Sequence, residues 1–378
     1  MNPHIPFNKP FIAGKELFYI AQAVTLGNIR GDGHFTQQCC RLLEERLGIQ
    51  RVLLTPSCTA ALEMAAMLCG IEPGDEVILP SFTFVSTANA FVLRGAKPVF
   101  IDVRPDTMNV DERQLAGLIN PSTKAIVIVH YAGVACEMDA IMATANRAGV
   151  PVIEDNAHGL FGCYKGRPLG SFGTMATLSF HDTKNITCGE GGALLVNNPK
   201  LVERAEILRE KGTNRSRFFR GQVDKYTWVD LGSSYIPSEL LAAFLLGQLE
   251  QFQSIQARRR CVFERYAAGL ASWAQAHGVT LPHVPAGCEP AWHMFYLLLP
   301  SLDVRQHFIA QLKAQSIYSV FHYLPLHLAP MVVASQARPG RCPVTEDVSD
   351  RLVRLPFFTT MTASDQSRVI DAVTSLRL

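Results

Sequence analysis

The sequence predicts an α/β fold built on a mostly parallel sheet with helices on both faces. Two patterns point there. From about residue 50 onward, short apolar runs alternate with longer amphipathic stretches, the signature of strands connected through helices. The chain is 378 residues long, 48% hydrophobic and 18% charged, so it has the profile of an ordinary globular protein with material for one large and one smaller domain. No internal repeat or low-complexity segment interrupts the pattern.

In order, 52–54 reads as a strand and 60–69 as a helix, then 76–79 as a strand and 85–93 as a helix. Further strands are expected at 99–101, 125–129 and 152–153, with a helix over 138–147 before the last. Segments 176–180 and 192–196 read as two strands joined by a tight glycine-rich turn. A long helix or broken pair covers 237–273, with Arg258–Arg260 on its solvated face. Beyond it the alternation shortens: 294–299, 304–315 and 317–320 read as strand, helix, strand, and 363–376 as a closing helix. A boundary near 250 gives a large domain over 1–250, including an N-terminal arm that packs on the smaller domain, and a small domain over 251–378.

The net charge of +2 sets up no field that would call for nucleic acid. No apolar run reaches the length of a membrane span. Met1 to Pro10 lacks the charged start and apolar stretch of a leader, so the expected location is the cytoplasm. None of the 10 cysteines forms a C-x-x-C pair; free, mostly buried thiols are expected, and no metal site.

Three elements carry chemistry. Residues 56–61, Pro-Ser-Cys-Thr-Ala-Ala, follow an apolar strand and open a helix. Such a helix start offers N–H groups, a hydroxyl and the positive end of the dipole to an anion, although a capping Ser or Thr accounts for the same residues. At 152–158, Glu154 and Asp155 end an apolar strand, where ligands sit in open α/β sheets. A buried Asp there can keep a pyridinium nitrogen protonated, while an Asx-turn is the plain structural alternative. At 179–185, Ser-Phe-His-Asp-Thr-Lys-Asn precedes Gly189-Glu190-Gly191-Gly192. A lysine that joins a carbonyl covalently must be partly desolvated, and the glycines let the backbone approach a cofactor. The stretch is no nucleoside-triphosphate loop, since its glycines follow the lysine. A nicotinamide-dependent dehydrogenase is excluded because 55–61 contains no glycine.

Lys184 lies 29 residues after Asp155, and Ser179 lies five before it. In this order and spacing, S-F-H-x-x-K-N, G-E-G-G and E-D-x-A-H resemble the nucleotide-sugar aminotransferases of pyridoxal-phosphate (PLP) fold type I, the DegT and StrS group. The resemblance spans nearly the whole chain and is strongest over 55–106, 130–139, 152–170 and 179–197. It implies a large domain with a mostly parallel seven-stranded sheet between helices, and a smaller C-terminal α/β domain. It also implies PLP as cofactor, cycling through pyridoxamine phosphate, with a nucleotide-sugar and L-glutamate as substrates and a homodimer with shared sites. Segments 211–216, 219–228 and 320–327 resemble the members that aminate C4 of a dTDP-linked keto sugar. Amination at C3, the gluco epimer, or a non-catalytic regulator on the same fold are the alternatives.

Residue by residue, the resemblance makes Lys184 the cofactor-bearing catalytic lysine, where related sugar dehydratases carry His. Asp155 matches the partner of the pyridine nitrogen and Phe84 the aromatic residue stacked on the ring. His158 stands near the phenolic oxygen, where many relatives have Gln. Cys58, Thr59 and Ser179 match the phosphate cup. The loop with which relatives complete that cup from a second subunit reads Gly232-Ser-Ser-Tyr-Ile-Pro here, without its Asn or Arg, leaving Ser234 or a main-chain N–H. Candidate sugar-nucleotide contacts are His322, Tyr323 and His327, and the basic loop residues Lys211, Arg215, Arg220 and Lys225, which suit a diphosphate. His181 and Asn185 flank the lysine; Tyr131 and Glu190 are further candidates.

Overall fold

A computed structural model of the chain describes residues 4–338 and 340–377; the first three residues of the stretch read above for a leader lie outside them. The strands in chain order are β1 (Arg51–Thr55), β2 (Glu76–Pro80), β3 (Lys97–Ile101), β4 (Thr123–Val129), β5 (Val152–Asp155), β6 (Cys163–Tyr164), β7 (Arg167–Pro168), β8 (Met175–Ser179), β9 (Gly192–Val196), β10 (Cys288–Glu289), β11 (Tyr296–Leu298), β12 (Val320–Phe321) and β13 (Leu352–Arg354). Seven of them form one sheet in the order β1-β9-β8-β5-β4-β2-β3. Only β9 runs against its neighbours; the remaining pairings are parallel.

The sheet is buried on both faces, and alternate residues go to opposite layers. Leu53 faces Ala61 and Met64 of the helix Cys58–Leu68. Val52 and Leu54 face Phe35, Leu43 and Leu245 from the helices His34–Leu47 and Glu239–Leu249. Those two layers are the helical covers that parallel connections require. The C-terminal part has its own antiparallel sheet, β11-β13-β12. Around it a separate core gathers Phe295, just before β11, with Tyr266, Phe308 and Val369 from the flanking helices. The N-terminal arm joins this part: the Ile5 N–H donates to Ser316 O (2.9 Å) and the Phe357 N–H to Phe7 O (3.1 Å).

Three expectations change, and one left open is decided. The 237–273 segment is a broken pair, Glu239–Leu249 and Phe252–Ala276. The middle residue of Arg258–Arg260 is not solvated: Arg259 is 2% exposed. Its guanidinium donates to the carbonyls of Trp292 (2.9 Å) and His293 (2.6 Å). Consecutive helical residues are about 100° apart, so three in a row cannot share one outer face. The connection between β8 and β9 is no tight turn but a loop filling 180–191, wide enough to present a lysine. Strand 317–320 shrinks to Val320–Phe321. The cysteines of the described residues are free, with Cys39 and Cys40 buried.

Candidate active site

The site is built on strand ends. Glu154 and Asp155 are successive residues of β5 and point to opposite faces. Glu154, fully buried, accepts the N–H groups of Gly170 (2.8 Å), Phe172 (2.7 Å) and Gly173 (2.6 Å), and lies 2.9 Å from His130 Nε2. It anchors a loop. Asp155, also buried, keeps open capacity. The Thr87 hydroxyl donates to Asp155 Oδ2 (2.8 Å), and the Ala157 N–H to Oδ1 (3.2 Å). Thr83 lies 2.8 Å from Thr87 and, with Thr87 committed as donor to the carboxylate, must itself donate. Burial pushes the Asp155 pKa up, against these bonds and the Lys184 charge.

Lys184 follows β8, in a turn closed by its N–H on His181 O (2.9 Å). Its side chain is half-buried, but the amine is desolvated. Burial lowers its pKa to about 8, against the nearby Cys58 and Asp155 and with help from Arg354. The amine has no hydrogen-bond partner among the described residues. The next residue fastens the loop: Asn185 Oδ1 meets His293 Nδ1 (2.9 Å), and its Nδ2 donates to Ala291 O. His293 in turn stacks on His158 at 4.3 Å. Burial holds both rings well below the usual histidine pKa, hence neutral, and His158 Nδ1 is buried without a partner.

Beside the lysine, Gly192 pairs with both Thr55 of β1 and Ser179 of β8. A Cβ on Gly192 would fall 2.3 Å from Ser57 C and 2.4 Å from Cys58 N, so only glycine permits this approach. Ser57 caps the helix Cys58–Leu68, its Oγ accepting the Ala60 N–H. That leaves the first-turn N–H groups of Cys58 and Thr59 without intrahelical acceptors. Thr59 donates to Ser86 Oγ (2.9 Å), and Cys58 Sγ lies 3.4 Å from Thr177 Oγ1, whose residue pairs with Asp155.

Phe84 precedes the helix Val85–Val92 and leaves its ring 56% exposed. Tyr323 stands 6.3 Å from it, and Tyr131 OH lies 3.0 Å from His322 Nδ1. The structure thus brings together Cys58, Thr59, Phe84, Asp155, His158, Ser179, Lys184, His322 and Tyr323. Others it engages elsewhere. His327 is held between Ser81 Oγ (2.6 Å) and Glu346 (3.1 Å). His181 is bound by Asp182 and Thr183 of its own loop. Arg215 pairs with Glu210 (3.5 Å) and Arg220 with Glu206 (2.8 Å). Lys211, Lys225 and Ser234 are exposed. Sequence reasoning missed Thr87, Ser86, His293 and Arg354, none of which sits in a motif; only the fold carries them to the site.

A desolvated lysine, a buried carboxylate with room for one more donor, an uncovered aromatic ring, an orphaned buried imidazole nitrogen and a helix start with free N–H groups form a donor set that fits PLP. With the seven-stranded sheet beneath them, they define a PLP-dependent enzyme of fold type I. The chain belongs to the DegT/DnrJ/EryC1/StrS aminotransferase family, whose model matches residues 11–374. It is similar to the aminotransferase TlmJ from Streptoalloteichus hindustanus, at 30% identity over 99% of this chain and 98% of that one, with a TM-score of 0.91. It is also similar to S. venezuelae DesV, at 30% identity over 100% of both chains, with a TM-score of 0.89. Streptococcus pneumoniae Spr1654, solved in a PLP-form, shares 25% identity over 99% and 98% of the chains, with a TM-score of 0.91. Spr1654 is also solved in a PMP-form, the two cofactor states of an aminotransferase. Among the described residues no helix is long and apolar enough to cross a membrane, and no cluster is suited to a metal.

Proposed function

We propose that this protein is a sugar aminotransferase that moves the amino group of L-glutamate to C4 of dTDP-4-keto-6-deoxyglucose, making it a dTDP-4-amino-4,6-dideoxygalactose transaminase. The observation that carries the reading is the segment after Val320: it brings His322 to Tyr131 and Tyr323 to Phe84, and it is the segment whose sequence resembles the 4-aminating members.

PLP, when bound, supplies the electron sink that spreads the charge left on a deprotonated carbon. Lys184 holds the cofactor and then moves the proton, a task suited to an amine with a pKa of about 8. Asp155, braced by Thr87, keeps the ring nitrogen protonated. His158, neutral, offers its free Nδ1 side to the phenolic oxygen, and Phe84 covers a ring face. Ser57, Cys58, Thr59 and Ser179 hold the phosphate. Ser234 completes that cup in a homodimer, a reading supported by its exposure. Residues 1–250 act as the large cofactor domain and 251–378 as the small one, and the enzyme works in the cytoplasm. Lys211 and Lys225 face the diphosphate, while Arg215 and Arg220 brace the loop that carries them. Asn185 positions Lys184 through His293.

The test is the visible spectrum of the PLP-loaded protein. L-glutamate should remove the absorption band, and dTDP-4-keto-6-deoxyglucose should restore it. A band indifferent to glutamate sinks the donor; a response to glutamate but not to this sugar sinks the acceptor. NMR of the product decides C4 against C3 and galacto against gluco.

A further inference from the structure

Residues 5–8 of the N-terminal arm run from the small domain to the loop that carries Lys184. At the outer end, the Ile5 N–H donates to Ser316 O (2.9 Å), and the Ile5 carbonyl accepts the Tyr318 N–H (3.1 Å). Ile5 is 1% exposed, so this end is a packed anchor and not a fraying terminus. Phe7 O then accepts the Phe357 N–H (3.1 Å). One residue on, the half-buried Asn8 reaches across to the large domain, where its Nδ2 donates to Asp182 O at 3.1 Å.

Asp182 and Thr183 are the central residues of a turn over 181–184, closed by the Lys184 N–H on His181 O (2.9 Å). The Asp182 carbonyl and the Thr183 N–H belong to one peptide unit, which is planar and rotates as a whole. Asn8 holds its oxygen, and His181 Nδ1 accepts its N–H at 3.3 Å. The second peptide unit before Lys184 is thus gripped at both ends. On the other side of the lysine, Asn185 is fixed by His293 and Ala291. The Lys184 amine itself has no hydrogen-bond partner among the described residues, so nothing at its far end aims it. Its direction comes from the backbone that carries it.

We propose that Asn8 is a positioning residue for Lys184: the arm clips the turn in the place from which the amine reaches the aldehyde carbon of PLP. The role rests on Lys184 being the residue that carries PLP, and on no particular sugar or donor. Because Ile5 and Phe7 are bonded to the small domain, the clip also ties the lysine to the domain whose residues His322 and Tyr323 line the site.

The experiment follows the visible band of the full-length apo-protein as PLP is added, by stopped flow. Asn8→Ala and Asn8→Asp both remove the donor, and Asn8→Gln keeps one. The first two should capture PLP roughly fivefold more slowly than wild type, the worth of one neutral hydrogen bond. Asn8→Gln should recover part of that loss. Pyridoxine 5′-phosphate has an alcohol in place of the aldehyde and cannot join the lysine. Its affinity for the apo-protein should stay within about twofold of wild type in all three variants, since one distant hydrogen bond leaves the noncovalent contacts in place. A merely structural role would move both readouts together. Should Asn8→Ala not fold, Asn8→Asp, of nearly the same size as the native residue, carries the test. A wild-type capture rate in the Ala and Asp variants, or a loss of pyridoxine 5′-phosphate affinity that matches the loss of capture, overturns the clip. A Lys184→Ala chain that still develops the wild-type band overturns the reading of Lys184, and the clip with it. If that band is lost while Asn8→Ala and Asn8→Asp capture PLP normally, only the clip falls.

Discussion

Around Tyr323, the amine of Lys184 and the carboxylate of Asp155 are desolvated, and the Nε of Arg354 is buried without a partner. In the loop over 211–228, Arg215 and Arg220 each lie against a glutamate at the end of the helix Val202–Arg209 or just past it. Both regions are rich in charge, and the sequence of the loop is the more basic of the two. The difference lies in compensation. The loop's arginines are partly exposed and settle the charge of the buried carboxylates of Glu206 and Glu210 locally. Buried, unmatched groups keep an altered proton affinity and an unmet demand for a ligand. Function is therefore expected where the charges are few and unpaired.

The comparison can be broken in four ways, from the largest expected effect down. Lys184→Ala should lower turnover by about 10³-fold or more, while PLP is still bound noncovalently; near-normal transamination would remove Lys184 from its role. Asp155→Asn leaves the shape but removes the charge facing the ring nitrogen, and single-turnover rates with glutamate should fall by roughly 10²-fold. The third concerns pH. Because burial lowers the Lys184 pKa to about 8, the amine is protonated below that pH and neutral above it. Capture of PLP by the apo-protein should rise through about pH 8 and level off near 9, one unit beyond the midpoint. A rise that continues toward the ordinary lysine value of 10.5 would show that the pocket does not desolvate the amine. The smallest effect is expected from Arg220→Ala. It removes the half-exposed partner of the buried Glu206, which keeps Arg51 at 3.1 Å, so the KM for the sugar nucleotide and the stability should change by less than about threefold and about 1 kcal/mol. A loss of tenfold or more in KM would show that the loop arginines leave their glutamates for the diphosphate.

Much of the site was legible because its parts are local. Ser57 at a helix start, Asp155 at a strand end and Lys184 beyond a strand each sit in a short stretch whose residue types reveal the turn they make. The order of these stretches pointed to a cofactor. The sequence did not reveal which side chains already have partners, whether those partners are near or far along the chain. His181 looked available beside the lysine but is engaged by Asp182 and Thr183. His327 looked like a substrate contact but is clamped between Ser81 and Glu346. Arg259 looked solvated but is interior.

By itself, then, the sequence determined the alternation of strand and helix and pointed to the candidate cup, carboxylate and lysine, because hydrophobic period and turn chemistry act over a few residues. The tertiary structure alone decided which charges are compensated. The two carboxylates of β5 are neighbours in sequence, yet one anchors a loop through Gly170, Phe172 and Gly173 while the other opens on the site. Arg354 comes to lie opposite Tyr296, whose ring is 6.0 Å from that of Tyr131, only because β13 pairs with β11. Burial and pairing arise from residues brought together across hundreds of positions, and they fix proton affinity where residue type cannot.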